Sequence, residues 1–209
     1  FQLTRRPYRP KFYPVLSPKT MTVKLRYSIP FSTVLTSTVS TVGENLFRAN
    51  SCFDPDLTGI GSQPRGFDQY MTFYDHFCVL GSRITATFQF LTGSETANAG
   101  QVSVMLNDTG VASETYTKIQ EARYRKIRPI AASTNGAVTI RMNYSTRKFF
   151  GRKGGDILND KELSGSVGSN PAEDAIFHCM YYAIASTSST VYLTGYIDYV
   201  VCFHEPKQQ

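Results

Sequence analysis

The sequence predicts an all-β protein: an eight-stranded antiparallel jelly-roll sandwich, with short helices in the links between strands and a basic N-terminal arm. Three observations carry that reading. Apolar residues recur with period 2 in eight separate segments, divided by Gly, Ser, Asn and Pro. Helical periodicity is confined to short stretches between those segments. The links are long and uneven, which suits a two-sheet jelly roll better than an up-and-down barrel with short, regular turns.

The elements follow in chain order. Residues 1–19 carry Pro7, Pro10, Pro14 and Pro18 and read as an extended arm; residues 20–209 read as the jelly-roll domain. Alternation begins at Met21, Val23, Leu25 and Tyr27, and a second strand is expected over 45–49. Phe67, Tyr70, Met71 and Tyr74 fall at i, i+3, i+4 and i+7, one face of a short helix. Ile84, Ala86, Phe88 and Phe90 alternate with Arg83, Thr85, Thr87 and Gln89, a half-buried strand. Val102, Val104 and Leu106 repeat the pattern, and 113–125 has room for a second helix. A weaker strand is expected over 124–130, then a clear one through Val138, Ile140, Met142 and Tyr144. Residues 145–174 have no period and read as a surface loop. Strands over 176–186 and from Val191 to Phe203 close the domain. The 13 Tyr and 14 Phe suit such a β-rich body.

The net charge of +6 is concentrated at one end. Arg5, Arg6, Arg9, Lys11, Lys19, Lys24 and Arg26 precede the first acidic residue, Glu44. The other 15 of the 22 Lys and Arg face all 16 Asp and Glu, so the rest of the chain is nearly neutral. A basic arm free of acid is either a solvated leader or the footprint of a polyanion, usually nucleic acid. A second cluster, Lys118, Arg123, Arg125, Lys126 and Arg128, is either a solvated rim or a further anion contact. On a strand, alternation puts Arg123 and Arg125 on one side and Lys126 and Arg128 on the other, so it is not one flat patch.

Catalytic and metal-binding patterns are missing from the sequence. No G-x-S-x-G, H-E-x-x-H, EF-hand or Walker loop occurs. His76, His178 and His204 are dispersed and read as structural. Cys52, Cys78, Cys179 and Cys202 form no C-x-x-C and read as buried free thiols. Asp54 and Asp56 flank Pro55 and read as turn residues, with Ca²⁺ chelation the sharper alternative. Gly151-Arg152-Lys153-Gly154-Gly155 lacks the ending of a phosphate loop and reads as a basic turn. No cofactor and no metal are expected. No apolar run approaches a membrane span, and the N-terminal stretch lacks the apolar core of a secretory signal.

The segment from Gly61 to Ile84, GSQPRGFDQYMTFYDHFCVLGSRI, resembles capsid proteins of small circular Rep-encoding single-stranded DNA viruses, the circovirus-like kind. Gly66-Phe67-Asp68-Gln69-Tyr70 followed by Tyr74-Asp75-His76 is its most recognisable part. Tyr144-Ser145-Thr146-Arg147-Lys148-Phe149-Phe150-Gly151, Gly168-Ser169-Asn170-Pro171 and Phe177-His178 agree with it. The resemblance implies a coat protein of about sixty copies in a closed icosahedral shell. It implies an arm facing a single-stranded DNA genome inside the shell, a location in the virion, assembly in the host nucleus or cytoplasm, and a host receptor of unknown kind. Only five basic residues precede Thr20, fewer than the family pattern, and missing upstream residues would account for that. A coat protein of a small RNA satellite-type virus shares the same features. A carbohydrate-binding jelly roll and a cupin-like enzyme are rivals from other classes, and the second needs a His/Glu metal set that three dispersed His do not supply.

Overall fold

A computed structural model describes residues 18–59, 61–90, 99–111, 115–131, 136–153, 156–184 and 188–207. Nine strands run through the described residues: β1 (Thr20–Ser28), β2 (Val34–Ser37), β3 (Val42–Arg48), β4 (Tyr74–Phe90), β5 (Gly100–Asn107), β6 (Arg125–Ile130), β7 (Ala137–Ser145), β8 (Ile176–Ala183) and β9 (Ser189–Pro206). Three short helices, α1 (Phe67–Met71), α2 (Tyr116–Glu121) and α3 (Thr146–Phe149), and a 3-10 turn at Lys161–Leu163 lie in the links.

The pairing is nested. β1 pairs with β9, β3 with β8, β4 with β7 and β5 with β6, all antiparallel. That is one long antiparallel ribbon folded back on itself. Rolling the ribbon brings β4 onto the free side of β9 and β5 onto the free side of β8. The result is two sheets, β1-β9-β4-β7 with β2 also on β9, and β3-β8-β5-β6. This is the jelly roll expected from the alternation.

In the longer strands one side of the alternation faces the space between the sheets. Leu25 and Tyr27, Ile84 to Phe90, Val102 to Leu106, Ile140 to Tyr144 and Val191 to Phe203 supply one continuous buried cluster. Gly195 sits at φ +146, and a Cβ there would stand 1.9 Å from the Thr85 carbonyl oxygen, so β9 and β4 meet where only glycine fits. All four cysteines are buried free thiols.

Four features differ from the sequence reading. β2 was not expected, because four residues are too few to show a period. β4 begins at Tyr74, well before Ile84, because its register shifts between Val79 and Gly81 and the shift scrambles the alternation. α1 stops at Met71, so Tyr74 opens a strand instead of extending the helix, although Phe67, Met71 and Tyr74 are all buried. Residues 145–174 are no bare loop. They begin with α3, and the Gly165 and Phe77 backbones exchange two hydrogen bonds of 2.9 Å. Ile157 and Leu163 cover Cys78 on the outside of β4.

Candidate nucleic-acid interface

On β1, alternation turns Leu25 and Tyr27 inward and Lys24 and Arg26 outward. Register then decides what stands beside them. Arg26 lies opposite Asp198, Asp198 opposite Arg83, and Arg83 opposite Asn143, one row across the outer face of the larger sheet. The Arg26 fork donates to both Asp198 carboxylate oxygens, at 2.6 and 3.0 Å, and its guanidinium carbon lies 4.0 Å from the centre of the Tyr196 ring. Arg83 Nε donates to Asn143 Oδ1 at 2.7 Å. The next row holds Ser28, Tyr196, Thr85 and Arg141; the row on the other side holds Lys24, Val200, Gly81 and Ser145. A shallow depression of about 680 Å³ opens over these rows, lined by Lys24, Arg26, Arg83, Asn143 and Asp198.

Among the described residues, these rows therefore carry four cations, Lys24, Arg26, Arg83 and Arg141, against one carboxylate. Asp198 neutralises the neighbourhood only in part, since Arg26 already holds it. The described chain begins at the opposite end of β1, beside His204. Lys19 is exposed just before β1, and the Tyr74 hydroxyl donates to the Pro18 carbonyl at 3.0 Å, fixing the point where the chain joins the body. Arg5, Arg6, Arg9 and Lys11 lie outside the described residues. Of the sequence-predicted arm cations, the structure places Lys24 and Arg26 on this face, and Lys19 at the other end of β1, ahead of Thr20. It adds Arg83 and Arg141, which sequence reading took only as polar positions in amphipathic strands. They join the patch through strand register, which no local pattern reveals.

The second predicted cluster is divided, as alternation requires. Lys126 and Arg128 stand opposite the core residues Val104 and Val102, and Arg125 stands opposite Met105 on the other side. β6 is an edge strand, and Lys126, Arg128 and Pro129 are the residue types that keep such an edge from pairing with another chain. Lys126 Nζ donates to the Arg141 carbonyl at 2.6 Å, tying the edge of the smaller sheet to that of the larger. Arg125 donates to the Ala122 carbonyl at 2.6 Å, and the Arg123 guanidinium carbon lies 5.1 Å from the Tyr124 ring centre. Lys126 and Arg125 are thus committed to backbone, while Arg128 is exposed beside them.

Other candidate groups have structural employment. Arg48 holds Asp54 at 2.8 Å, and Asp56 Oδ1 accepts from the Thr58 amide and hydroxyl, so both carboxylates shape their turn. Arg152 pairs with Asp160 at 3.0 Å. His76 and His204 are brought together across β4 and β9 with ring centres 5.7 Å apart, and contact Glu205 and Ser164 respectively. His178 is buried in the other sheet.

Two antiparallel sheets with nested strand pairing, an outer face of cations and an entry point for a basic arm define a jelly roll of the kind found in viral capsid proteins. The chain is similar to solved structures of cocksfoot mottle virus (8% identity, 90% of this chain and 96% of that one, TM-score 0.51). It is also similar to tobacco necrosis virus (13%, 97% and 90%, TM-score 0.50) and mud crab tombus-like virus (12%, 95% and 96%, TM-score 0.50). Identities this low establish the fold alone. These neighbours are RNA viruses, so the likeness to single-stranded DNA viruses rests on the sequence motifs and gains no support from them. No protein-family model matches the chain, and no curated protein matches it.

Proposed function

We propose that this chain is a viral coat protein: copies of it close into an icosahedral shell of about sixty subunits, and the shell holds a single-stranded genome through the basic arm. The observation that carries the proposal is the coincidence of a capsid-type jelly roll with a charge split that leaves the body nearly neutral and puts seven cations before Glu44. Arm cations bind phosphate without reading sequence, so affinity falls steeply with salt. Arg5, Arg6, Arg9, Lys11, Lys19, Lys24 and Arg26 are the primary contacts in this reading, and Arg123, Arg125, Lys126 and Arg128 are secondary ones.

The motifs from Gly66 to Tyr70 and from Tyr144 to Gly151 favour DNA as the genome. Their roles are architectural. Gly66, at φ +94, precedes α1; Phe67 is fully buried; and the Thr146 hydroxyl donates to the Val79 carbonyl at the register shift of β4. A coat protein of a small RNA virus would share the same fold and basic arm and is the second reading. Nuclease typing of nucleic acid released from purified particles separates the two. Digestion by a DNA-specific nuclease supports the DNA coat; digestion only by ribonuclease replaces it with the RNA coat; particles free of nucleic acid refute the packaging role.

A further inference from the structure

We infer that the outer face of the larger sheet is itself a binding platform for single-stranded nucleic acid, distinct from residues 1–19 and built to take unpaired bases as well as phosphates. This inference rests on the coat-protein reading and goes further, because it assigns a partner to a folded surface and names residues that no charge cluster in the sequence marks.

The argument starts from which part of the face is covered. At the end near His76 and Cys78, the segment around Ile157 and Leu163 packs over the sheet. From Lys24 onward the face is open. Its rows, in order, present Lys24, then Arg26 with Asp198 and Arg83, then Tyr196 with Thr85 and Arg141, then Thr194 with Thr87 and Thr139, and last Tyr192 with Gln89. Asp198 is the sole carboxylate in those rows among the described residues. Every other polar group there is a cation, a hydroxyl or an amide.

At the far end the chemistry turns aromatic. Val34 pairs with Tyr192, and the Phe31 ring lies over the Tyr192 ring, centroids 6.3 Å apart and planes 21° from parallel. Phe31 is 82% exposed and Val34 47% exposed. A phenylalanine so exposed at the end of a cationic lane gains nothing from the core. Stacked rings in line with phosphate-binding cations are what a strand without sequence preference requires: the cations track the backbone, and the rings accept bases of any kind. Successive outward side chains on one strand stand about 6.8 Å apart, so the lane from Asp198 to Tyr192 extends for roughly 20 Å. A protein partner for the same face would need carboxylates facing Arg83 and Arg141. A second copy docking through this same face brings only Asp198 from these rows among the described residues. Charge complementarity thus favours a polyanion.

The test uses the full chain, a labelled oligothymidylate, and a duplex of equal length. Phe31→Ala together with Tyr192→Ala is expected to weaken oligothymidylate binding on the order of tenfold or more and to leave duplex binding within about twofold, since a duplex offers no free base faces. Tyr192→Phe keeps the ring and retains wild-type affinity. Arg83→Ala with Arg141→Ala is expected to lower the log-log salt slope for the single strand by about 1.4, two contacts at about 0.7 each. Unchanged oligothymidylate affinity in both double variants overturns the platform while leaving the coat-protein reading intact. Loss of shell assembly with unchanged affinity per subunit also overturns it, and makes the face a contact between copies. Wild-type chain that binds no oligonucleotide at low salt overturns both readings at once.

Discussion

His178 is fully buried, and both of its ring nitrogens are engaged. Nε2 lies 2.9 Å from the Thr109 carbonyl oxygen, which only accepts, so Nε2 carries a hydrogen. Nδ1 lies 2.5 Å from Glu44 Oε1, a buried pair that ties β8 to β3. Truncating a fully buried ring of this size, together with its contacts to Glu44 and Thr109, costs about 3–5 kcal/mol. His178→Ala is therefore expected to lower unfolding free energy by about 3 kcal/mol in urea titrations; a loss under about 1 kcal/mol would show that the pair contributes little. Stability should also depend on pH at both ends. Burial lowers the His204 pKa below 6.5, opposed by Glu205 and assisted by His76. The native state binds that proton less readily than the unfolded chain, so stability is full above pH 6.5 and declines as pH falls toward the native value. His204→Gln should flatten this acid limb. Burial also raises the thiols, Cys78 to about 12 and Cys52 well above 9.0. Unfolded thiols ionise near pH 9 while the native ones stay protonated, so denaturation midpoints should fall above that pH. Midpoints that hold steady from pH 7 to 10.5 would contradict the buried placement.

At the scale of elements, α1 shows a local pattern and its packing in agreement. Phe67 is fully buried, meets Phe77 edge-on at 5.0 Å and lies 6.2 Å from Phe203, while Tyr70 stacks on Phe203 at 5.0 Å. Truncation to Phe67→Ala should cost about 3–5 kcal/mol, because the site is walled by rigid strands that do not collapse into the gap. Thermal melts of the variant give the answer, and a shift within error of wild type would mean that α1 is only loosely seated. The apolar sides of β1, the second half of β4, β5, β7 and β9 were legible in the sequence because period 2 is a local signal. The first half of β4 was not, since the register shift at Val79 and Gly81 breaks the period. β2 was too short to show one. The charge of the arm was legible as composition. The cationic rows were not, because Arg83 and Arg141 join Arg26 only once β9 and β7 have both paired with β4.

For the whole molecule, the design is a nearly neutral sandwich whose sequence gathers its basic excess before Glu44, with Lys24 and Arg26 on the outer face of the larger sheet. β6 at one sheet edge is charged and carries Pro129, which discourages open-ended strand pairing between copies. No described helix is long and apolar enough to cross a membrane. Deleting residues 1–19 removes no described strand, so the sandwich should still fold, while packaged nucleic acid and the salt dependence of binding both fall. The most direct measurement of the central claim is size-exclusion light scattering of the purified chain across a salt series, read with the 260/280 nm absorbance ratio and electron micrographs of the same peak. The account predicts closed particles many times the 23.4 kDa of one chain, carrying nuclease-protected nucleic acid that is depleted when residues 1–19 are removed. A single species near 23.4 kDa at every salt concentration, with the absorbance ratio of protein alone, would contradict it.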